Sequence, residues 1–334
     1  MRWGRWTLAA TIAAGIATGC SGPPEPARSV IVISIDTLRA DRLGCYGNPD
    51  GLTPTLDALA GEGVRFSDAT APTPITLPSH ASLFTGRYPT ATGVRNNGTF
   101  VVPDVEVTLA ERLQESGWET GAVIAAFPLT RQFGVEQGFR IYDDDLEGPQ
   151  GGAGPKMRVH FVERDARTVT DRALGVWERL GDGRRMLWVH YFDPHAPYAP
   201  PVEYARGRRS LYDGEVAFVD AEIGRLLETV LADDPDAIVV VVADHGEALG
   251  EHGEANHGLF VYQSTVHVPL IVRAPGRWPE GRVIDEPVSL VDVAPTVLGL
   301  VDLAPGDPID GADLAGLVAG EPGPARAVYA ETMM

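Results

Sequence analysis

The segment Val30-Ile31-Val32-Ile33-Ser34-Ile35 constrains the fold more than any other part of the sequence, because it is an almost unbroken run of β-branched residues. Such a run is typical of a strand that is buried on both faces, and strands of this kind belong to parallel sheets covered by helices. The run stops at Asp36. We therefore expect an interior strand of a parallel sheet, with a carboxylate at its carboxyl end.

The alternation of strand patterns and helix patterns continues along the chain. Further strands are predicted at Thr120–Ile124, Met186–Phe192, Ala237–Ala243 and Pro269–Arg273. Helices are predicted at Thr55–Glu62, Thr108–Ser116, Arg164–Leu180, Gly214–Leu231 and Val291–Leu300. Strands that alternate with helices in this way are joined by crossover connections, which place the strands parallel to one another. We predict an α/β fold, a doubly wound and mainly parallel sheet with helices on both faces, formed by one domain over residues 30–326.

The first twenty residues have the pattern of a targeting segment. Arg2 and Arg5 precede a short apolar stretch that ends at Cys20, and a Pro-rich linker over residues 21–29 follows. The pattern resembles a bacterial lipoprotein signal peptide over residues 1–20, with Cys20 as the lipidated residue. A plain cleaved signal and an uncleaved anchor are the alternatives. We expect a protein of the bacterial cell envelope, on the periplasmic or extracellular side, with the membrane as a partner through a lipid at Cys20.

The charge balance excludes one large class of partner. The 334 residues contain 27 basic and 46 acidic side chains, a formal net charge of −19, and no basic run interrupts the acidic excess. Nucleic-acid binding needs clustered cations, so no nucleic-acid partner is expected. Lipidation of Cys20 would leave Cys45 as the one other cysteine, without a disulfide partner.

Polar side chains that can bind a cation follow several predicted strands. Asp36 ends the first strand, Asp244 and His245 follow the strand that begins at Ala237, and His195 follows another. Ligands of open parallel sheets bind beyond the carboxyl ends of the strands. Two carboxylates and an imidazole suit Mn²⁺, Mg²⁺ or Zn²⁺, and a cation removes the repulsion between the carboxylates. The sequence therefore predicts Asp36, Asp244 and His245 as metal ligands.

Thr76 stands just before a short predicted helix. Pro78 is compatible with the first turn of that helix and Gly86 with its end. The unpaired amides at the start of a helix favour an anionic group. Spacing alone leaves two interpretations of Thr76, a residue of an anion site or only the cap of the helix.

Four ordered motifs give the sequence a resemblance to a known family. They are Asp36-Thr-Leu-Arg-Ala-Asp-Arg-Leu-Gly-Cys-Tyr-Gly47, Thr76-Leu-Pro-Ser-His-Ala-Ser-Leu-Phe-Thr-Gly-Arg87, His190-Tyr-Phe-Asp-Pro-His195 and Asp244-His-Gly-Glu247 with Gly250-Glu-His-Gly253. The second is similar to the sulfatase signature. The chain is identified as a member of the sulfatase family of the alkaline phosphatase superfamily. The resemblance implies an alkaline phosphatase-like fold and metal-dependent hydrolysis of sulfate or phosphate esters.

The resemblance breaks at the residue that sulfatases oxidise to formylglycine. Thr76 stands there in place of Cys or Ser, and oxidation of a threonine side chain would give a ketone. A threonine nucleophile is similar instead to phosphodiesterases, phosphonate hydrolases and lipoteichoic-acid-synthase-like phosphotransferases. In those relatives, residues corresponding to Asp36, Thr76, Asp244 and His245 surround one metal. The resemblance implies Mn²⁺, Mg²⁺ or Ca²⁺, with Zn²⁺ as an alternative, and leaves a second metal open.

Five further residues are candidates for substrate contact or proton transfer. Asn97 corresponds to an amide that holds a phosphoryl oxygen in phosphodiesterase relatives, and its neighbourhood is also a good turn sequence. His80 and Arg87, together with the amides of the helix after Thr76, are expected to attract the anion. His195 or His257 would protonate the leaving alkoxide.

Three hypotheses about function follow. The first is a hydrolase of sulfate or phosphate esters that favours phosphodiesters or phosphonates, acting on a small-molecule, glycan or lipid ester. The second is an envelope phosphotransferase of the phosphoethanolamine or glycerophosphate type, and the third is a catalytically silent binding lipoprotein. Relatives continue into a small C-terminal subdomain, which we expect to be truncated or absent here, with its start at residues 327–334.

Overall fold

The computed structural model describes residue 1 and residues 27–146, 163–323 and 325–333. Within these ranges, one sheet contains all the strands. They are β1 Ser29–Ile35, β2 Val64–Thr70, β3 Glu119–Val123, β4 Ile141–Asp143, β5 Arg185–Tyr191, β6 Ile238–Ala243, β7 His267–Arg273, β8 Arg282–Ile284 and β9 Val288–Ser289. The predicted signal peptide beyond Met1, including Cys20, and the linker up to residue 26 lie outside the described residues.

The sheet has the order β4-β3-β5-β1-β6-β7-β2-β8, with β9 paired to β2. β1 lies between β5 and β6, is parallel to both, and is buried along its whole length. The prediction of a mainly parallel α/β sheet is confirmed. β7 departs from the parallel direction, because it is antiparallel to both of its neighbours, β6 and β2.

The α-helices of the described residues lie between or after these strands. They are α1 Pro54–Gly61, α2 Thr76–Thr85, α3 Pro89–Thr92, α4 Leu109–Glu115, α5 Ala166–Leu180, α6 Val202–Ala205, α7 Leu211–Asp233, α8 Gln263–Val266, α9 Val293–Leu300 and α10 Ala315–Ala319. α5 packs against α7 and against β3 and β5, while α2 packs against α9. All six predicted helices form, including the short one that begins at Thr76, with ends shifted by a few residues.

The sequence patterns do not predict β2, β4, β8 or β9. β4, β8 and β9 have only two or three residues each, too few for a periodic pattern. β2 reads Val-Arg-Phe-Ser-Asp-Ala-Thr, and its polar positions are only partly buried. These strands form because neighbouring strands supply their hydrogen bonds. The local sequence does not reveal such partners.

The last residues of the chain lie against the sheet without forming a strand or a helix. Residues 325–333 have no regular structure. The Glu331 amide donates to the Pro72 carbonyl at 3.0 Å, and the Arg95 guanidinium donates to Glu331 Oε2 at 2.9 Å. No helix within the described ranges is long and apolar enough to cross a lipid bilayer.

Candidate active site

Asp36, Asp244 and His245 meet at the carboxyl ends of β1 and β6, where the sequence predicted them. His245 Nε2 lies 3.7 Å from Asp36 Oδ1 and 3.5 Å from Asp244 Oδ2. All three side chains are fully buried. Adjacent parallel strands bring their ends together, so residues more than two hundred positions apart form one cluster.

The donor atoms of this cluster fit a divalent cation. Asp36 Oδ1 and Asp244 Oδ2 are buried and have no hydrogen-bond partner, although buried carboxylate oxygens are normally paired. His245 Nδ1 lies 3.0 Å from the Gly246 carbonyl, and its donation there leaves the Nε2 lone pair facing both carboxylates. A backbone carbonyl orients metal-binding histidines in this way. One atom from each residue can therefore ligate the same ion.

The pKa values in the cluster also indicate a site for a divalent cation. Burial, together with the negative charge of Asp36, raises the pKa of Asp244 well above its usual range. Burial opposes ionisation of Asp36 too, but contacts with His190 and His245 hold its pKa below the ordinary value. Burial lowers the pKa of His245 to about 3, so its imidazole is neutral. Two adjacent buried carboxyls cannot both ionise without a cation between them.

Thr76 stands beside the cluster as the first residue of α2. Its Oγ1 lies 3.5 Å from Asp36 Oδ2 and 3.5 Å from His245 Nε2, and the residue is only 3% exposed. The N-cap position of α2 is occupied by Ile75, so Thr76 is the first helical residue and not the cap. The interpretation of Thr76 as only a helix cap is therefore wrong, and the four predicted ligand residues are grouped together.

His80, which was predicted to bind substrate, has no exposed surface in the structure. It is fully buried one helical turn after Thr76, with Nδ1 2.8 Å from the Thr76 carbonyl and Nε2 2.9 Å from Ser34 Oγ. Burial lowers the pKa of His80 to about 3, which leaves it neutral. His80 therefore supports the backbone of Thr76 and offers no charge to an anion.

Arg87, which was also predicted to bind substrate, forms an ion pair with Glu106. It follows the far end of α2 from Thr76, and its guanidinium donates to both oxygens of Glu106 at 2.6 and 2.7 Å. The charge that could have attracted an anion is neutralised by this pair.

Two of the amides at the start of α2, which were expected to attract an anion, already have hydrogen-bond acceptors. Asn97 Oδ1 accepts the Leu77 amide at 2.8 Å, Pro78 has no N–H, and the Ser79 amide donates to the Ile75 carbonyl at 3.1 Å. An anion near Thr76 cannot use them. Asn97 lines the cavity beside Thr76, and its side-chain NH₂ is the group left to donate to a substrate oxygen.

A cavity of about 430 Å³ opens in front of Thr76. His195 and His257 line it, as predicted, and their rings lie 5.2 Å apart. His195 Nδ1 lies 2.6 Å from the Ala196 carbonyl, and His257 Nδ1 lies 3.3 Å from Glu247 Oε1. Donation from each Nδ1 leaves both Nε2 atoms available to the cavity.

Glu247 is a site residue whose role the sequence did not reveal. Its carboxylate is completely buried, contacts His257, and accepts the Tyr198 hydroxyl at 3.2 Å. Burial lowers the pKa of His257, but the negative charge of Glu247 outweighs it and the pKa rises. Its place two residues after His245 was the available signal, since the same strand end positions both.

His190 is a second residue that the prediction left without a role. Its Nδ1 accepts the Ala125 amide at 3.3 Å, so its proton lies on Nε2, 3.5 Å from Asp36 Oδ2. His80, His190 and Asp244 also place donor atoms close together. Both ring nitrogens of His80 and Nδ1 of His190 lie within hydrogen-bonding distance of other groups, whereas His190 Nε2 is buried without a hydrogen-bond partner.

Comparison with known proteins agrees with this geometry. A sequence model of the family described as Sulfatase matches residues 28–303. The ulvan-active sulfatase of Formosa agariphila is 28% identical, over 89% of this chain and 65% of that protein. The steryl-sulfatase of Mus musculus is also 28% identical, over 94% of this chain and 69% of that protein. The chain thus spans about two thirds of the length of these curated relatives.

Solved structures share the fold. The phosphonate monoester hydrolase SpPMH from Silicibacter pomeroyi superposes with a TM-score of 0.75 and 22% identity, over 90% of this chain and 78% of that one. A likeness at this identity concerns the arrangement of strands and helices. The chemistry has to be argued from the residues of this chain.

Proposed function

This chain belongs to the sulfatase family, and on that basis we propose that it is a metal-dependent hydrolase of phosphodiesters or phosphonate esters, with Thr76 as the covalent nucleophile. The observation that carries the proposal is the position of the Thr76 hydroxyl, 3.5 Å from both Asp36 Oδ2 and His245 Nε2. A threonine cannot become the aldehyde that sulfate-ester chemistry uses in the family. Its hydroxyl can attack phosphorus directly.

Asp36, Asp244 and His245 would hold the divalent cation, which is Mn²⁺, Mg²⁺, Ca²⁺ or Zn²⁺ in this proposal. When bound, such an ion supplies positive charge to a substrate oxygen and lowers the pKa of a nearby hydroxyl. That charge matters here because the cavity is lined by no lysine or arginine among the described residues. Asp36 Oδ2 meanwhile accepts the Thr76 hydroxyl and orients Oγ1 toward the cavity.

In the first step, Thr76 Oγ1 gives its proton to Asp36 Oδ2 and forms a bond to phosphorus, while the bond from phosphorus to the departing alkoxide breaks. Asp36 returns this proton when Thr76 leaves phosphorus in the second step. His257 donates the Nε2 proton to that alkoxide, because Glu247 holds Nδ1 and balances the imidazolium charge. His195 donates Nδ1 to a backbone carbonyl and keeps Nε2 as an acceptor. It takes a proton from water in the second step, when the hydroxide oxygen displaces Thr76 from phosphorus.

A panel of chromogenic esters tests the proposal. We expect the protein, loaded with each of the four cations in turn, to hydrolyse bis-p-nitrophenyl phosphate and p-nitrophenyl phenylphosphonate at least about 100-fold faster than p-nitrophenyl sulfate, measured as kcat/KM. The physical reason is that Thr76 cannot supply an aldehyde hydrate to attack sulfur. In addition, no lysine or arginine among the described residues lines the cavity to bind a sulfate group. A preference for the sulfate ester would contradict the substrate assignment.

We further propose that the protein is anchored in the bacterial envelope by a lipid on Cys20, which rests on the sequence pattern of residues 1–20. Expressed in a bacterial host, the full chain is expected to partition into the detergent phase of a Triton X-114 extract. The Cys20→Ser variant should move to the aqueous phase or remain uncleaved. Equal partition of the two proteins would refute the anchor, and Cys45→Ser provides the matched control.

A further inference from the structure

The cavity in front of Thr76 contains a carboxylate that the proposed chemistry does not use. Glu163 lines the same cavity as Thr76, His195 and His257. Its side chain is exposed to the cavity, and within the described ranges of the chain it makes no hydrogen bond or ion pair. An unpaired acid is unexpected in a site that must take an anionic ester, because the two charges repel.

The electrostatic surroundings of Glu163 are negative. Partial burial, followed by the charges of Asp193 and Asp36, raises the pKa of Glu163 to about 7. The one lysine of the sequence, Lys156, lies outside the described residues. A positively charged ligand group next to Glu163 would relieve this repulsion.

Two aromatic rings line the same cavity as Glu163. Phe127 and Phe192 both line it. Phe192 stacks on His195 with the ring centroids 4.2 Å apart, and Phe127 contacts Phe133 edge to face at 5.4 Å, so both rings are held in place. Aromatic rings and a carboxylate that line one cavity can bind an ammonium group, through cation–π attraction and charge pairing.

We propose that Glu163, with Phe127 and Phe192, selects esters whose organic part carries an ammonium group of the ethanolamine or choline type. The proposal rests on the hydrolase function argued above and names its substrate class. In this arrangement the phosphoryl group lies at Thr76, where the metal ligands converge, and the ammonium group faces Glu163 in the same cavity. Esters of glycans with additional sulfate or carboxylate groups are disfavoured, because those groups would face Glu163.

Two esters that differ only in charge test this assignment. They are p-nitrophenyl phosphocholine and p-nitrophenyl 3,3-dimethylbutyl phosphate, in which a carbon atom replaces the choline nitrogen. For the metal-loaded protein we expect kcat/KM to be at least about tenfold higher for the choline ester. Glu163→Gln should bring the ratio close to one by slowing only the choline ester, and Glu163→Asp should retain part of the preference.

A binding measurement keeps the test independent of turnover. Titration calorimetry with tetramethylammonium chloride, at constant ionic strength, should detect binding to the wild-type protein and a loss of at least about tenfold in affinity for Glu163→Gln. If neither ester is turned over but tetramethylammonium binding depends on Glu163, the hydrolase function fails and the ammonium site stands. Equal turnover of both esters by the wild type would overturn the selectivity. An equal loss on both esters in Glu163→Gln would make Glu163 a proton-transfer residue instead.

Discussion

Thr76→Ala is expected to lower kcat for phosphodiester hydrolysis by at least about 10⁴-fold, because removing a covalent nucleophile leaves only the residual catalysis of the binding site. The side chain is small, stands at the start of α2 and has 3.5 Å contacts as its closest polar neighbours, so folding should be little affected. Steady-state kinetics on bis-p-nitrophenyl phosphate, with thermal unfolding as the check on folding, measures both effects.

The matched control for that variant is Thr76→Ser, which keeps the hydroxyl and removes a methyl group. It should retain activity within about tenfold of the wild type, because the attacking atom is preserved. Acid-quenched protein analysed by peptide mass spectrometry should carry the phosphoryl adduct at position 76 in the wild type and no adduct in Thr76→Ala. Wild-type-like turnover by Thr76→Ala would show that another group attacks phosphorus.

Removal of divalent cations is expected to abolish activity, with a loss of about 100-fold or more, and to lower Tm by several degrees. Both effects have the same origin, since the buried carboxylates Asp36 and Asp244 repel each other when no cation lies between them. Chelation followed by titration with Mn²⁺, Mg²⁺, Ca²⁺ or Zn²⁺, monitored by thermal unfolding and by turnover, identifies the ion that restores both.

The variant Asp244→Asn tests the same repulsion by removing one of the two carboxylates. Asparagine keeps the oxygen that accepts the His245 amide at 2.8 Å and places an NH₂ near His245 Nε2. The cation-free variant should therefore be at least as stable as the cation-free wild type, while the rise in Tm on adding metal disappears. Asp171→Asn, at an exposed position on α5, is the control and should keep the full metal response. A metal-dependent Tm in Asp244→Asn equal to that of the wild type would remove Asp244 from the ligand set.

The surroundings of His80, Arg87 and the α2 amides indicate that binding of an anionic ester would need a cation. Each was expected to supply positive charge to the substrate, and each is neutral, paired or hydrogen-bonded elsewhere. With a formal net charge of −19, the chain as a whole repels an anionic ester. In the proposed function, local attraction would depend on an ion held by Asp36, Asp244 and His245, together with Asn97 and His257.

The sequence by itself determined the parallel α/β sheet and the cluster of Asp36, Asp244, His245 and Thr76. Buried β-branched runs are local signals, and the rule that the ends of parallel strands share one edge converts sequence position into spatial position. The family motifs then identify the residue that faces the cluster.

The tertiary structure alone decided which other polar groups are free to act. His80 follows Thr76 by one helical turn, so its ring points back into the core, and Arg87 is neutralised by Glu106 from another segment. Glu163 lies in no motif and reaches the cavity only because the residues before α5 approach α2 in space. The burial of a polar side chain and its hydrogen-bond partners depend on contacts between segments that are distant in the sequence. A sequence pattern does not reveal these contacts.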